Sequence, residues 1–165
     1  MKKISYLLLA TTVLFTACKD KYTKTKEGIE YKIIAGKGKK VLKGEFLEIN
    51  ISAVYNDSVL FSTRENAMPQ YAAFELEQFP PSFKEIFKNA TVGDSIVIKM
   101  STDTLLSKGQ AAPFMKKGTF VYQYFKIENA FATEQQKDSA VKSHTVLAKA
   151  KAYEKTVATI KKELA

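Results

Sequence analysis

The chain is poor in side chains that could do covalent chemistry: 165 residues hold one cysteine, Cys18, and one histidine, His144. A zinc centre draws three or four ligands from cysteine, histidine and carboxylate, and a Cys–His nucleophile needs both partners in one site. Cys18 lies near the N-terminus and His144 in an alanine- and lysine-rich stretch beyond residue 130, so neither arrangement is expected. The serines of the body have no histidine partner, and no glycine-rich loop has phosphate-binding spacing. Acidic residues sit mostly beside lysines, which argues against two carboxylates converging on a cleft for hydrolysis. No metal or cofactor is expected. The formal net charge is +9, with lysines dispersed rather than gathered into a tract interleaved with aromatics, so nucleic acid is not an expected partner. His144 is expected to be a solvated helix residue.

The elements that would position a site follow from periodicity. Ile29 to Ile34 reads as a strand and Gly36 to Lys40 as a turn. Glu45 to Tyr55 alternates, with Leu47, Ile49, Ile51, Ala53 and Tyr55 on one face and Glu48, Asn50 and Ser52 on the other, and it ends at the turn Asn56-Asp57-Ser58. Val59 to Thr63 and Tyr71 to Leu76 are shorter strands. A helix follows Pro80-Pro81, because Phe83, Ile86 and Phe87 share one helical face. Ser95 to Ser101 is a strand, Thr102 to Lys117 a long loop, and Thr119 to Glu128 a strand with Phe120, Tyr122 and Tyr124 on one side. Past Ala130 the absence of glycine and proline predicts a helix. In it Val146, Ala150, Tyr153, Val157, Ile160 and Leu164 recur at spacings of four and three, a seam for self-association, for a partner or for packing on the body. The fold class is α+β.

The N-terminus has the order of an export signal: Lys2 and Lys3, an apolar run from Ile4 to Phe15, then Thr16 and Ala17. That run is too short to span a bilayer. Phe15-Thr16-Ala17-Cys18 resembles the lipobox of bacterial lipoproteins, which implies cleavage before Cys18, lipid on that cysteine and anchorage to a bacterial envelope membrane. The organisation expected is a signal peptide over 1–17, the lipidated cysteine and a tether over 18–27, a folded domain over 28–130 and a C-terminal helix over 131–165.

From Gly28 to about Ala130 the order of landmarks resembles the FKBP-type peptidyl-prolyl isomerase domain. The landmarks are Gly28-Ile29-Glu30-Tyr31-Lys32-Ile33-Ile34 with Gly36-Lys37-Gly38, Lys43-Gly44, Phe61-Ser62-Thr63-Arg64, Pro80-Pro81-Ser82-Phe83, Val92-Gly93-Asp94 and Gly118-Thr119-Phe120-Val121-Tyr122. The resemblance implies a twisted antiparallel sheet wrapped around one short helix. It also implies an apolar pocket lined by Phe61, Tyr71, Phe79, Phe83, Phe114 and Tyr122, with Ser62, Pro80 and Leu106 at positions where the family carries polar or donor groups.

Prolyl isomerisation crosses a barrier of about 18–20 kcal/mol without making or breaking a covalent bond. A dry aromatic pocket can lower it, because a twisted amide has lost conjugation and charge separation. Here Ile51 stands where the family has a strand tyrosine, Ser62 where it has aspartate, Phe83 where it has tryptophan and Leu106 where it has a loop tyrosine. Pro80 occupies the position whose backbone N–H holds the substrate carbonyl, and proline has no N–H. The expected function is a membrane-anchored prolyl isomerase of reduced activity, acting on proline-containing segments of exported proteins. The alternative is a non-catalytic peptide-binding or chaperone module, or an envelope-complex subunit.

Overall fold

A computed structural model describes residues 21–164. Cys18, and with it the signal and lipid-attachment expectations, lies outside the described residues. Seven strands form one antiparallel sheet: β1 (Thr23–Lys24), β2 (Glu30–Ile34), β3 (Phe46–Tyr55), β4 (Ser58–Ser62), β5 (Gln70–Ala73), β6 (Ser95–Ser101) and β7 (Phe120–Phe131). Their spatial order is β1-β2-β6-β7-β3-β4, and β5 pairs with the first half of β3 while β4 pairs with its second half. A short 3-10 helix (Leu76–Gln78) and three α-helices complete the described residues: α1 (Pro81–Phe87), α2 (Thr102–Ser107) and α3 (Glu134–Glu163).

Strands β3, β6 and β7 turn alternate residues toward α1. The inner face carries Leu47, Ile49, Ile96, Ile98 and Ile127, which meet Ile86, Phe87 and Ala90 from α1 and the turn after it, with Val41 and Phe74 closing the core. Leu47, Ile98 and Ile127 are fully buried, and truncating such a side chain to alanine costs about 2–5 kcal/mol. The hairpin between β3 and β4 turns on Asn56 and Asp57, both at positive φ, the conformation whose twist matches paired strands. The loops 36–38 and 91–94 touch so closely that a Cβ on Gly36 would lie 2.3 Å from the Gly93 carbonyl carbon, which restricts that position to glycine. Asp94 ties this contact by accepting from the N–H groups of Gly36 (2.6 Å) and Thr91 (2.8 Å).

Several expectations change. Part of the expected long loop is helix α2: the Ser101 side chain caps it by accepting from the Asp103 N–H, and six residues are too few to show periodicity in sequence. The expected tether is partly structured, since Thr23 and Lys24 pair with Tyr31 and Glu30, and buried Thr25 contacts Ser82 on α1. The last strand runs on to Phe131, with Glu128 bulged between its partners on β3. His144 is not fully solvated: it lies on the side of α3 that meets the sheet, 3.1 Å from Glu48.

Helix α3 starts at a capping box, Thr133 and Gln136 each bonding the other's backbone N–H. Its half-buried residues are Lys137, Ala140, Val141, His144, Thr145 and Ala148, a single face in the first half of the helix, and Val157 further along. That face lies on the outer side of the sheet, where Lys137 sits over the Phe46 ring at 5.0 Å. The apolar seam is elsewhere: Val146, Tyr153, Ile160 and Leu164 are exposed. Among the described residues no helix is long and apolar enough to cross a membrane.

Candidate peptide-binding surface

The register of the sheet decides which side chains can share a site. On β3, Ile49, Ile51, Ala53 and Tyr55 point inward with Leu47. Ala53 is opposite Phe61 on β4 and Gln123 on β7, and Gln123 is in turn opposite Ile98 on β6. Tyr55 is opposite Val121, and Val121 opposite Met100. The inner face beyond the core therefore continues through half-buried Ala53 and Gln123, with buried Val121 beside them, and this stretch is the candidate trough.

Phe61 stands on one side of this trough and is 47% exposed despite facing inward. Phe114 stands on another side, 56% exposed, with its ring 5.9 Å from that of buried Tyr55. The α1 side is closed by Phe83, stacked on Phe87 at 6.1 Å and edge-on to Phe125 at 6.1 Å, with Phe79 edge-on to Phe87 at 5.8 Å. Phe79 and Phe83 thus serve the core and support the trough from behind, while Phe61 and Phe114 are the rings left free to meet a ligand.

The loop that carries Phe114 is pinned by hydroxyls. Fully buried Thr102 lies with Oγ1 2.7 Å from the Lys116 carbonyl and 2.9 Å from that of Thr119, and it accepts from the Thr119 N–H at 3.1 Å. The Tyr55 hydroxyl accepts from the Lys116 N–H at 2.8 Å and from Thr119 Oγ1 at 3.3 Å. The Thr119 hydroxyl, then the Lys116 N–H, hold the Tyr55 phenol below its ordinary pKa.

Other residues expected at the site lie elsewhere. Tyr122 is paired with Val54 and Lys99 on the outer face, one residue out of phase with the trough. Tyr71 is opposite Glu48, also on the outer face, with its ring 6.5 Å from Phe131 and 6.4 Å from His144. Its hydroxyl is buried with no hydrogen-bond partner among the described residues, and burial, then the Glu48 charge, push its pKa up to about 12. Ser62 pairs with Ser52 on that face too. Leu106 is exposed on α2. Pro80 precedes the first turn of α1 with φ −55° and ψ 149°, and its carbonyl accepts from the Lys84 N–H. With Pro81 next, the N-terminus of α1 has two successive residues without an N–H.

Among the described residues no cluster of His, Cys, Asp or Glu could hold a metal ion. Sequence reasoning placed Tyr55 on the inward face but gave it no role, and it passed over Gln123, Thr102 and Thr119. The signal for Gln123 was the alternation of Val121, Gln123, Phe125 and Ile127, whose inward sense is set only by pairing.

Fold and trough together define an α+β domain in which a twisted antiparallel sheet wraps one short helix and leaves an aromatic-rimmed depression, the architecture the FKBP-type resemblance implies. The chain is similar to several solved structures. One is FkpA from Escherichia coli, at 18% identity and a TM-score of 0.49, covering 72% of this chain; this chain spans only 55% of FkpA. A peptidyl-prolyl cis-trans isomerase from Pseudomonas syringae pv. tomato matches at 14% identity and a TM-score of 0.48, over 69% of this chain and 84% of that one. AtFKBP13 matches at 10% identity and a TM-score of 0.48, over 66% and 98% respectively. At these values the likenesses bear on neither substrate nor activity. No family profile matches the chain, and no curated protein matches it.

Proposed function

We propose that the chain binds proline-containing segments of exported proteins in the inner-face trough, turning over the X-Pro bond weakly, while lipid on Cys18 holds it to a bacterial envelope membrane. The observation that carries this reading is that two exposed rings belong to the inward face of the sheet, Phe61 opposite Ala53 and Phe114 5.9 Å from the ring of Tyr55. Large exposed rings that face inward over a mostly apolar floor suit an apolar ring such as that of proline, and removing water from the amide favours its twisted form. The Pro80-Pro81 entry to α1 lacks the N–H that would hold the substrate carbonyl. One lost hydrogen bond costs about 0.5–1.5 kcal/mol net, so turnover falls without vanishing.

The test is a protease-free isomerisation assay with a Phe-Pro peptide on the chain from Lys19 to Ala165 and on a Pro80→Ile variant. Position 80 already has the extended conformation that a residue before proline prefers, so isoleucine fits the backbone and restores the donor. Measurable catalysis by the native chain, raised several-fold in the variant, supports the reading. A native chain that binds the peptide but is silent, with turnover only in the variant, favours the binding-module alternative. Absence of both binding and turnover in both proteins refutes the site.

A further inference from the structure

We infer that the side-chain amide of Gln123 is the hydrogen-bond donor that holds the carbonyl preceding proline in a segment bound to the trough; this rests on the proline-binding reading above. Gln123 is half-buried on the inward face of β7, with Val121 and Phe125 two residues away on either side and Ala53 and Ile98 as cross-strand neighbours. All four neighbours are apolar. Its amide has two N–H donors and one carbonyl acceptor, yet it makes no hydrogen bond among the described residues. The amide is open to solvent rather than buried, so a ligand that displaces its water must offer hydrogen bonds in return.

The other polar groups around the trough are already engaged. The Tyr55 side chain is buried, with its hydroxyl tied to the Lys116 N–H and the Thr119 hydroxyl of the neighbouring loop. Thr63 Oγ1 accepts from the Ile51 N–H and donates to Asn50 Oδ1, both at 2.9 Å. The Ser82 hydroxyl is held between Glu27 and Thr25. Pro80 and Pro81 have no N–H. A proline segment presents no N–H at the proline itself, so the carbonyl before it is its strongest local handle and calls for a donor. Gln123 is the side-chain donor on the trough floor still free to serve. By binding that carbonyl it takes over the task for which position 80 has no group, and it orients the X-Pro bond without moving a proton.

The experiment compares two peptides on the full exported chain: a Phe-Pro peptide, and its analogue in which the carbonyl before proline is a thiocarbonyl, a weaker acceptor of similar shape. The native protein is expected to bind the oxygen form about 2- to 13-fold more tightly, the range of one hydrogen bond. Gln123→Leu should bind both forms equally, at the native protein's affinity for the sulfur form. In the native protein, the Gln123 side-chain amide signals in a nitrogen-15 NMR spectrum should shift on adding the oxygen form and shift less with the sulfur form, a readout that needs no variant to fold. If Gln123→Leu keeps the native affinity and the native preference, or the amide signals stay still while the peptide binds, the inference is overturned and the trough reading survives. If neither peptide binds the native protein, the trough reading itself falls.

Discussion

Replacing Tyr71 by phenylalanine separates the two faces of the sheet. The hydroxyl of Tyr71 is buried and has no partner among the described residues, between Glu48, His144 and Phe131. An unsatisfied buried hydroxyl costs about 1–3 kcal/mol, so its removal with the ring kept should stabilise the fold by about 1 kcal/mol. In a domain of this size that raises the melting temperature by roughly 2–4 °C. The pH dependence follows from the raised phenol pKa of about 12. Below pH 10 the phenol is neutral in folded and unfolded chains, and its contribution is fully present. As pH rises through 10 toward 12 the unfolded chain ionises first, and stability is lost. The variant has no such group, so its advantage over the native protein should widen between pH 9 and 11 in urea melts followed by circular dichroism. Proline-peptide affinity should stay within twofold, because the ring lies on the opposite side of the sheet from Phe61 and Phe114. A variant destabilised by 1 kcal/mol or more would mean that the hydroxyl has a partner. A variant that folds but no longer binds peptide would mean that Tyr71 faces the trough.

Other substitutions check the remaining links. Phe61→Ala should weaken peptide binding by about tenfold with less than about 1 kcal/mol lost in stability, since the ring is half exposed, whereas Tyr122→Ala should leave binding unchanged; paired titrations of the two decide the register of the site. Thr102→Val removes the hydroxyl that ties residues 116 and 119 and leaves their carbonyls short of a donor. It should cost about 1–3 kcal/mol and speed hydrogen exchange at the Thr119 N–H, which would stay slow if the loop were held by other contacts. His144→Ala leaves Glu48, mostly buried, without its partner on α3, and exchange in the first half of that helix should quicken while the core strands stay protected. Equal exchange in both proteins would show that α3 docks without this pair.

Much of the fold was legible from local pattern. The strand over Ser95–Ser101 was readable to the residue because Ile96, Ile98 and Met100 recur at every second position in a β-branched run and Gly93 and Asp94 mark its start. The turn at Asn56-Asp57 and the entry to α1 at Pro81 were readable because those residues carry their backbone preference with them. The exclusion of cysteine–histidine chemistry needed only a count of residues. What alternation leaves undetermined is direction. On β7 the sequence offers two interleaved rows, Phe120, Tyr122 and Tyr124 against Val121, Gln123, Phe125 and Ile127. The more aromatic row is the outer one. The sense was decided by pairing, since Phe125 and Ile127 must meet Ile96, Ile51 and Ile49 to close the core over α1, and the bulge at Glu128 then turns Ala130 inward as well.

The same limit hid the roles of both ends of the chain. Composition predicts a helix after Ala130, but only the tertiary structure shows that His144 and Lys137, rather than the seam of Val146, Tyr153 and Ile160, meet the sheet. A docking face is selected by the surface opposite it, here Phe46, Glu48 and Tyr71, and those residues lie far away in sequence. Local propensity and residue type can be read one segment at a time. Which side of a segment is buried, and which unpartnered amide is left over a trough, are properties of pairs of segments and exist only once the chain has folded.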